Sequence, residues 1–135
     1  MMTDDLDSVS GRTVLVADDD PDLLMLMTRR LSKAGYHVIS ASDGQQALDL
    51  VEEFLPQMAV LDVVMPKLTG IEVLVRLRAD PATHNMLIML VSAGFKGAVD
   101  EAGTPAGADV YFRKPFLPGE LGKRVKALFD RRNPS

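Results

Sequence analysis

Val60-Leu61-Asp62-Val63-Val64-Met65-Pro66-Lys67-Leu68-Thr69-Gly70 decides how this chain is read. An apolar run ends in a single acid and then turns through Pro66 and Gly70. In an α/β domain that is the pattern of a buried strand with a carboxylate at its C-terminal mouth. Asp is a poor strand residue and costly to bury, so something at the mouth should compensate for it. Taken alone, Asp62 reads more readily as a cap for the helix that follows. The flanking sequence has to decide.

Upstream, Thr13-Val14-Leu15-Val16-Ala17 is a short apolar run and predicts a buried strand. It ends in Asp18-Asp19-Asp20 before Pro21, and Asp20 as N-cap with Pro21 at the first helical position is a strong helix start. Leu23, Met27, Arg30/Leu31 and Ala34 recur at helical spacing, and Gly35 closes the helix. His37 to Ser40 predicts a second strand. Ser42-Asp43-Gly44-Gln45 reads as a capping box with Ser42 at the cap. The helix after it carries Ala47, Leu48, Val51 and Phe54, and Pro56 stops it. Met58 to Leu61 is the third strand.

Downstream, Ile71, Leu74, Val75 and Leu77/Arg78 predict a helix that Asp80-Pro81 ends. Met86 to Val91 is almost wholly apolar, a strand buried on both faces, and Ser92 follows it. Residues Phe95 to Gly107 carry the weakest signal: a short, mobile helix is expected near Lys96 to Ala102, opposed by Gly97, Gly103 and Pro105. Val110 to Arg113 is the fifth strand, with Val110 and Phe112 on one face and Asp109, Tyr111 and Arg113 on the other. A last helix turns Leu121, Val125, Leu128 and Phe129 inward and leaves Lys123, Arg124 and Lys126 solvated. Five strands alternating with five helices predict an α/β fold, a parallel sheet with helices on both faces.

Composition narrows the function. The 135 residues suit one domain, 47% apolar and 25% charged. No cysteine is present, so disulfides and thiolate metal sites are excluded, which fits a cytoplasmic protein. No apolar run approaches a membrane span, and the acidic first ten residues are no signal peptide. The net charge of -4 argues against nucleic-acid binding by this chain alone. The expected organisation is a flexible leader at 1–11, a domain at 12–132 and a tail at 133–135.

In open α/β sheets, ligands bind outside the carboxyl ends of the strands. Asp18 and Asp19 end the first strand, Asp62 the third, Ser92 the fourth and Lys114 the fifth. Five polar residues on one rim are hard to ascribe to capping. Three crowded carboxylates repel one another and raise at least one pKa. An oxygen-only donor set suits Mg²⁺. A carboxylate can attack phosphorus to form an acyl phosphate, with the metal and Lys114 neutralising charge on the phosphoryl oxygens and Ser92 hydrogen-bonding one of them. His37 and His84 have no motif around them and read as ordinary surface or strand-edge residues.

Over residues 13–131 the chain resembles the receiver domain of bacterial two-component response regulators. The acidic run Asp18-Asp19-Asp20, the Asp62–Gly70 turn, Val91-Ser92-Ala93, and Ala106-Gly107-Ala108-Asp109-Val110-Tyr111-Phe112-Arg113-Lys114-Pro115-Phe116 carry the likeness. It implies a (βα)5 flavodoxin-like fold with strand order 2-1-3-4-5, an order known for a member of this family. It also implies Asp62 as phosphoacceptor, Asp18 and Asp19 as Mg²⁺ ligands with the Val64 backbone carbonyl, and Ser92 and Tyr111 as switch residues. Lys114 would face the phosphate, its bond to Pro115 cis, and Asp20 would cap the helix. Implied partners are a sensor histidine kinase or His phosphotransfer protein and an output partner that reads the surface of the fourth helix, fifth strand and fifth helix. A phosphorylation-dependent homodimer is also open to such a domain.

The resemblance implies a signalling module that catalyses only its own phosphorylation and dephosphorylation. A pseudo-receiver acting as a constitutive interaction module is the alternative; its usual mark, loss of the acceptor or acid pair, is missing. An aspartate-nucleophile phosphohydrolase commonly has a second acid two residues past the nucleophile, where this chain has Val64. Val64 and Gly94 also replace polar side chains that family members often carry, so slow hydrolysis of the acyl phosphate is expected.

Overall fold

The computed structural model describes residues 11–93, 107–117 and 119–132. Five strands form one parallel sheet: β1 Thr13–Ala17, β2 His37–Ala41, β3 Met58–Asp62, β4 Leu87–Ser92 and β5 Val110–Arg113. Their order is β2-β1-β3-β4-β5, as the family resemblance implied. Four helices lie among the described residues: α1 Pro21–Lys33, α2 Gly44–Phe54, α3 Gly70–Ala79 and α4 Glu120–Arg132. The leader, the expected helix near 96–102, Gly94 and the tail at 133–135 lie outside the described residues.

Strand alternation divides the core into two layers. Leu15, Ala59, Leu61, Ile88 and Leu90 face α2 and α3, packing on Ala47, Val51, Val73 and Leu74. Val14, Val16, Val60, Met89 and Phe112 face α1 and α4, packing on Met27, Leu31, Leu121 and Val125. The faces expected for β5 are borne out: Val110 and Phe112 join the α1/α4 layer, and Tyr111 packs in the other. β3 and β4 are buried along their whole length, as expected of strands covered on both sides.

Asp20 caps α1 as expected, its carboxylate accepting from the Asp22 and Leu23 amides, and Gly35 follows the helix at φ 105°. The cap of α2 differs from the sequence reading. It is Asp43, not Ser42, that accepts from the Gln46 amide, while Gln46 Oε1 accepts from the Ser42 amide at 2.7 Å. Both residues can cap, and the chain uses the one nearer the buried Gly44. Two residues of the apolar helical spacing face solvent. Phe54 is 52% exposed because Leu55 turns left-handed at φ 45° and ends the helix there. Val75 is 59% exposed, and Val73 occupies the core in its place. No helix among the described residues is long and apolar enough to cross a membrane.

Candidate functional site

Parallel strands deliver their C-terminal ends to one edge, and that edge gathers the chemistry. β1 ends at Ala17, so Asp18 is the first residue off it; β3 ends on Asp62 itself; β4 ends on Ser92. Pairing puts Asp62 opposite Val91, one residue short of Ser92. Asp18 is 1% exposed, Asp62 6% and Ser92 fully buried, while Asp19 is exposed. One carboxylate oxygen from each of Asp18, Asp19 and Asp62 lies within 4.8 Å of the others. Lys114, just past β5, reaches back across the edge. Its Nζ donates to Asp18 Oδ2 at 2.9 Å and stands 3.4 Å from Asp62 Oδ1.

One positioning contact was missed by sequence reasoning. Asp18 Oδ1 accepts from the Asp20 amide at 2.9 Å, so both oxygens of this buried carboxylate are engaged. The signal was present in the acidic run, where an Asp commonly accepts from the amide two residues on. The backbone behind Asp62 is fixed as firmly. The Val63 amide donates to Val91 O at 2.8 Å and the Gly70 amide to Val63 O at 2.9 Å. A Cβ on Gly70 would lie 2.3 Å from the Asp62 carbonyl oxygen, so only glycine lets α3 start this close to the acid. Thr69 and Glu72 then close a reciprocal capping box on α3.

The electrostatics follow from this crowding. Burial, and then the Asp18 charge, push the Asp62 carboxyl up to about 6; Lys114 opposes them and Asp19 adds to the rise. Burial pulls the Lys114 ammonium down, but the hydrogen bond and charge of Asp18, with those of Asp62, more than offset it and hold its pKa above the ordinary value. One lysine thus answers two buried acids at close range. The residues fit a hard divalent cation: the donors are all oxygens, they are already convergent, and their mutual repulsion is what such a cation relieves.

Tyr111 is half-buried in β5 against the α2/α3 core layer, and its hydroxyl is buried without a hydrogen-bond partner among the described residues. Val64 projects into solvent beyond β3. The Lys114–Pro115 peptide is cis, as the resemblance implied. His37 and His84 are both exposed, as expected.

A doubly wound five-stranded parallel sheet with its acids at the carboxyl edge is an open α/β architecture, the class in which ligands bind at that edge. Comparison makes the assignment specific. The family model for the response regulator receiver domain matches residues 14–126. Over 126 residues the chain is 44% identical to the transcriptional regulatory protein PrrA of Mycobacterium leprae, covering 92% of this chain and 52% of PrrA. It is 40% identical to the alkaline phosphatase synthesis transcriptional regulatory protein PhoP of Bacillus subtilis, over 90% of this chain and 50% of PhoP. Its fold is similar to that of the chemotaxis response regulator CheY4 of Vibrio cholerae, with a TM-score of 0.80 at 27% identity over 87% of this chain and 98% of that one. The chain belongs to the response regulator receiver domain family of two-component systems. It spans about half the length of the curated relatives it matches.

Proposed function

We propose that this domain is a phosphorylation-controlled switch in which Asp62 accepts a phosphoryl group from a histidine kinase or His phosphotransfer protein. The observation that carries this reading is the buried Asp62 carboxylate, grouped with those of Asp18 and Asp19 and 3.4 Å from the Lys114 ammonium. An Asp62 oxygen attacks phosphorus, an O–P bond forms, and the bond from phosphorus to the donor imidazole breaks as that leaving group takes a proton. Lys114 meets the charge that gathers on the phosphoryl oxygens, and Ser92 hydrogen-bonds one of them. Asp18, Asp19 and Asp62, with the Val64 carbonyl, would hold Mg²⁺, which when bound neutralises phosphoryl charge.

Movement of Ser92 toward the phosphoryl group frees space for Tyr111, and the surface around β5 and α4 changes its affinity for an output partner. Turnover of other substrates is not part of this reading. Such a domain works in the cytoplasm, alone or as part of a longer regulator, and can pair with a second copy when phosphorylated. A constitutive interaction module has no specific observation in its favour.

Incubation with Mg²⁺ and acetyl phosphate, followed by intact mass measurement, tests the proposal. A single phosphoryl adduct is expected, lost with EDTA and in Asp62→Asn. An adduct of equal yield in that variant would refute it.

A further inference from the structure

At the opposite edge of the sheet, where β1, β3 and β4 begin, lies a second concave site of about 420 Å³. That is within the range of small-molecule sites, roughly 300–1,000 Å³. Two guanidiniums line it, from Arg12 before β1 and Arg132 at the end of α4. Gln57 and Asn85 add side-chain amides, and Leu55 and Phe129 an apolar wall. No carboxylate among the described residues lines it, although the chain carries 19 acidic against 15 basic residues. Neither arginine has an ion-pair partner among the described residues.

The site is built rather than merely exposed. The Arg12 guanidinium lies over the Phe129 ring at 4.6 Å, and Tyr36 stacks on the same ring at 5.7 Å. A stacked guanidinium spends its face and keeps its edge N–H groups for an acceptor. Gln57 Oε1 accepts from the Thr13 amide at 2.7 Å, which fixes that side chain and leaves its NH₂ as a donor. Backbone bonds from Gln57 N to Thr13 O at 3.0 Å and from Leu87 N to Gln57 O at 3.2 Å hold the three strand starts in register beneath it. Leu55 is more than half exposed here, an apolar surface with nothing on it among the described residues. Fixed donors beside an open apolar wall lower the cost of ordering on binding.

We infer that this cleft binds a small organic anion with an apolar ring, its charged group between Arg12 and Arg132 and its ring against Leu55 and Phe129. The ligand class follows from the donors: two cations and two amides select an anion, and the wall rejects a bare hydrated one. The site stands at the far end of the strands from Asp62, so occupancy does not compete with the acidic cluster.

Titration of the full chain with 2-naphthoate and with 2-naphthyl phosphate, followed by amide chemical shifts, tests this. Saturable shifts at Leu55, Gln57 and Asn85 are expected below about 5 mM. Whichever probe is tighter identifies carboxylate or phosphate as the preferred head group. Arg132→Gln, at an exposed position, leaves the fold intact and should weaken binding about five-fold or more, as loss of a charged hydrogen bond does; Arg12→Gln should do the same. Equal affinity for neutral 2-naphthalenemethanol, no saturation by either anion, or unchanged affinity in both variants would overturn the inference. So would cleft shifts that follow protein concentration without probe, since these would put a second copy there.

Discussion

At the Asp62 carboxyl, burial and the neighbouring acids favour the neutral form, and only Lys114 favours the anion. The folded chain therefore keeps this proton up to a pH of about 6, while an unfolded chain releases it near the ordinary 3.8. Stability from this group is fully present below the lower value and is lost as pH rises through the upper one. In metal-free protein the penalty at neutral pH is on the order of 2–3 kcal/mol. Asp62→Asn should therefore melt no higher than the parent near pH 4 and several degrees higher by pH 7, measured in EDTA, and should bind Mg²⁺ more weakly. A melting difference that does not grow with pH would mean that the carboxyl ionises freely. Lys114→Met removes the one cation beside Asp62 among the described residues and should enlarge that difference and move the pH at which it levels off upward, because Asp62 then faces Asp18 and Asp19 without compensation.

At the scale of elements, close approach and anchoring set the site. Gly70→Ala would drive a methyl into the Asp62 carbonyl and should cost about 2 kcal/mol or more, as overpacking against backbone does. Gly122→Ala, in α4 with nothing within 4 Å of its added methyl, should instead stabilise by about 0.5–1 kcal/mol. Denaturant midpoints of the two variants should move in opposite directions; parallel shifts would contradict the packing around Asp62. Arg78 is a second anchor. It donates to Gly107 O, His84 O, Met86 O and Asp109 Oδ2 at 2.6–3.0 Å, tying the end of α3 to the entries of β4 and β5. Arg78→Ala should cost about 2–4 kcal/mol in urea unfolding, because it strands these acceptors and the half-buried Asp109. A loss under about 0.5 kcal/mol, the size of an exposed pair, would show that the clamp is idle.

The same elements show what the chain discloses without coordinates. Strand positions and the carboxyl-edge residues were readable, because apolar runs ending in Asp18, Asp62 and Ser92 alternate with helical periodicity, and that alternation puts every strand end on one edge. The strand order needed the family resemblance, since spacing alone does not fix it. The Arg78–Asp109 pair was not readable: the residues are 31 apart, and a charge on a helix face usually meets solvent. The cap of α2 was misplaced because Ser42 and Asp43 are equally competent caps, and their order in the sequence does not choose between them. Phe54 and Val75 fit the helical spacing yet face solvent, because hydrophobicity alone does not say which side of a helix faces the core.

For the molecule as a whole, the proposed function is a switch phosphorylated at one rim and read at another surface. The Val64 side chain has no polar atom to orient water, so the proposed acyl phosphate should persist; Val64→Asn should shorten its lifetime, followed by loss of the phosphoryl adduct over time. An unchanged lifetime would remove Val64 from that role. The central claim, that one buried carboxylate takes the phosphoryl group, is tested most directly by locating it. Borohydride reduction of the phosphorylated chain converts an acyl-phosphate Asp to homoserine, and peptide sequencing by mass then gives its position. Homoserine at position 62 and nowhere else is the predicted result. Homoserine at position 18 or 19, or a borohydride-stable phosphoryl group on Ser92, would contradict it.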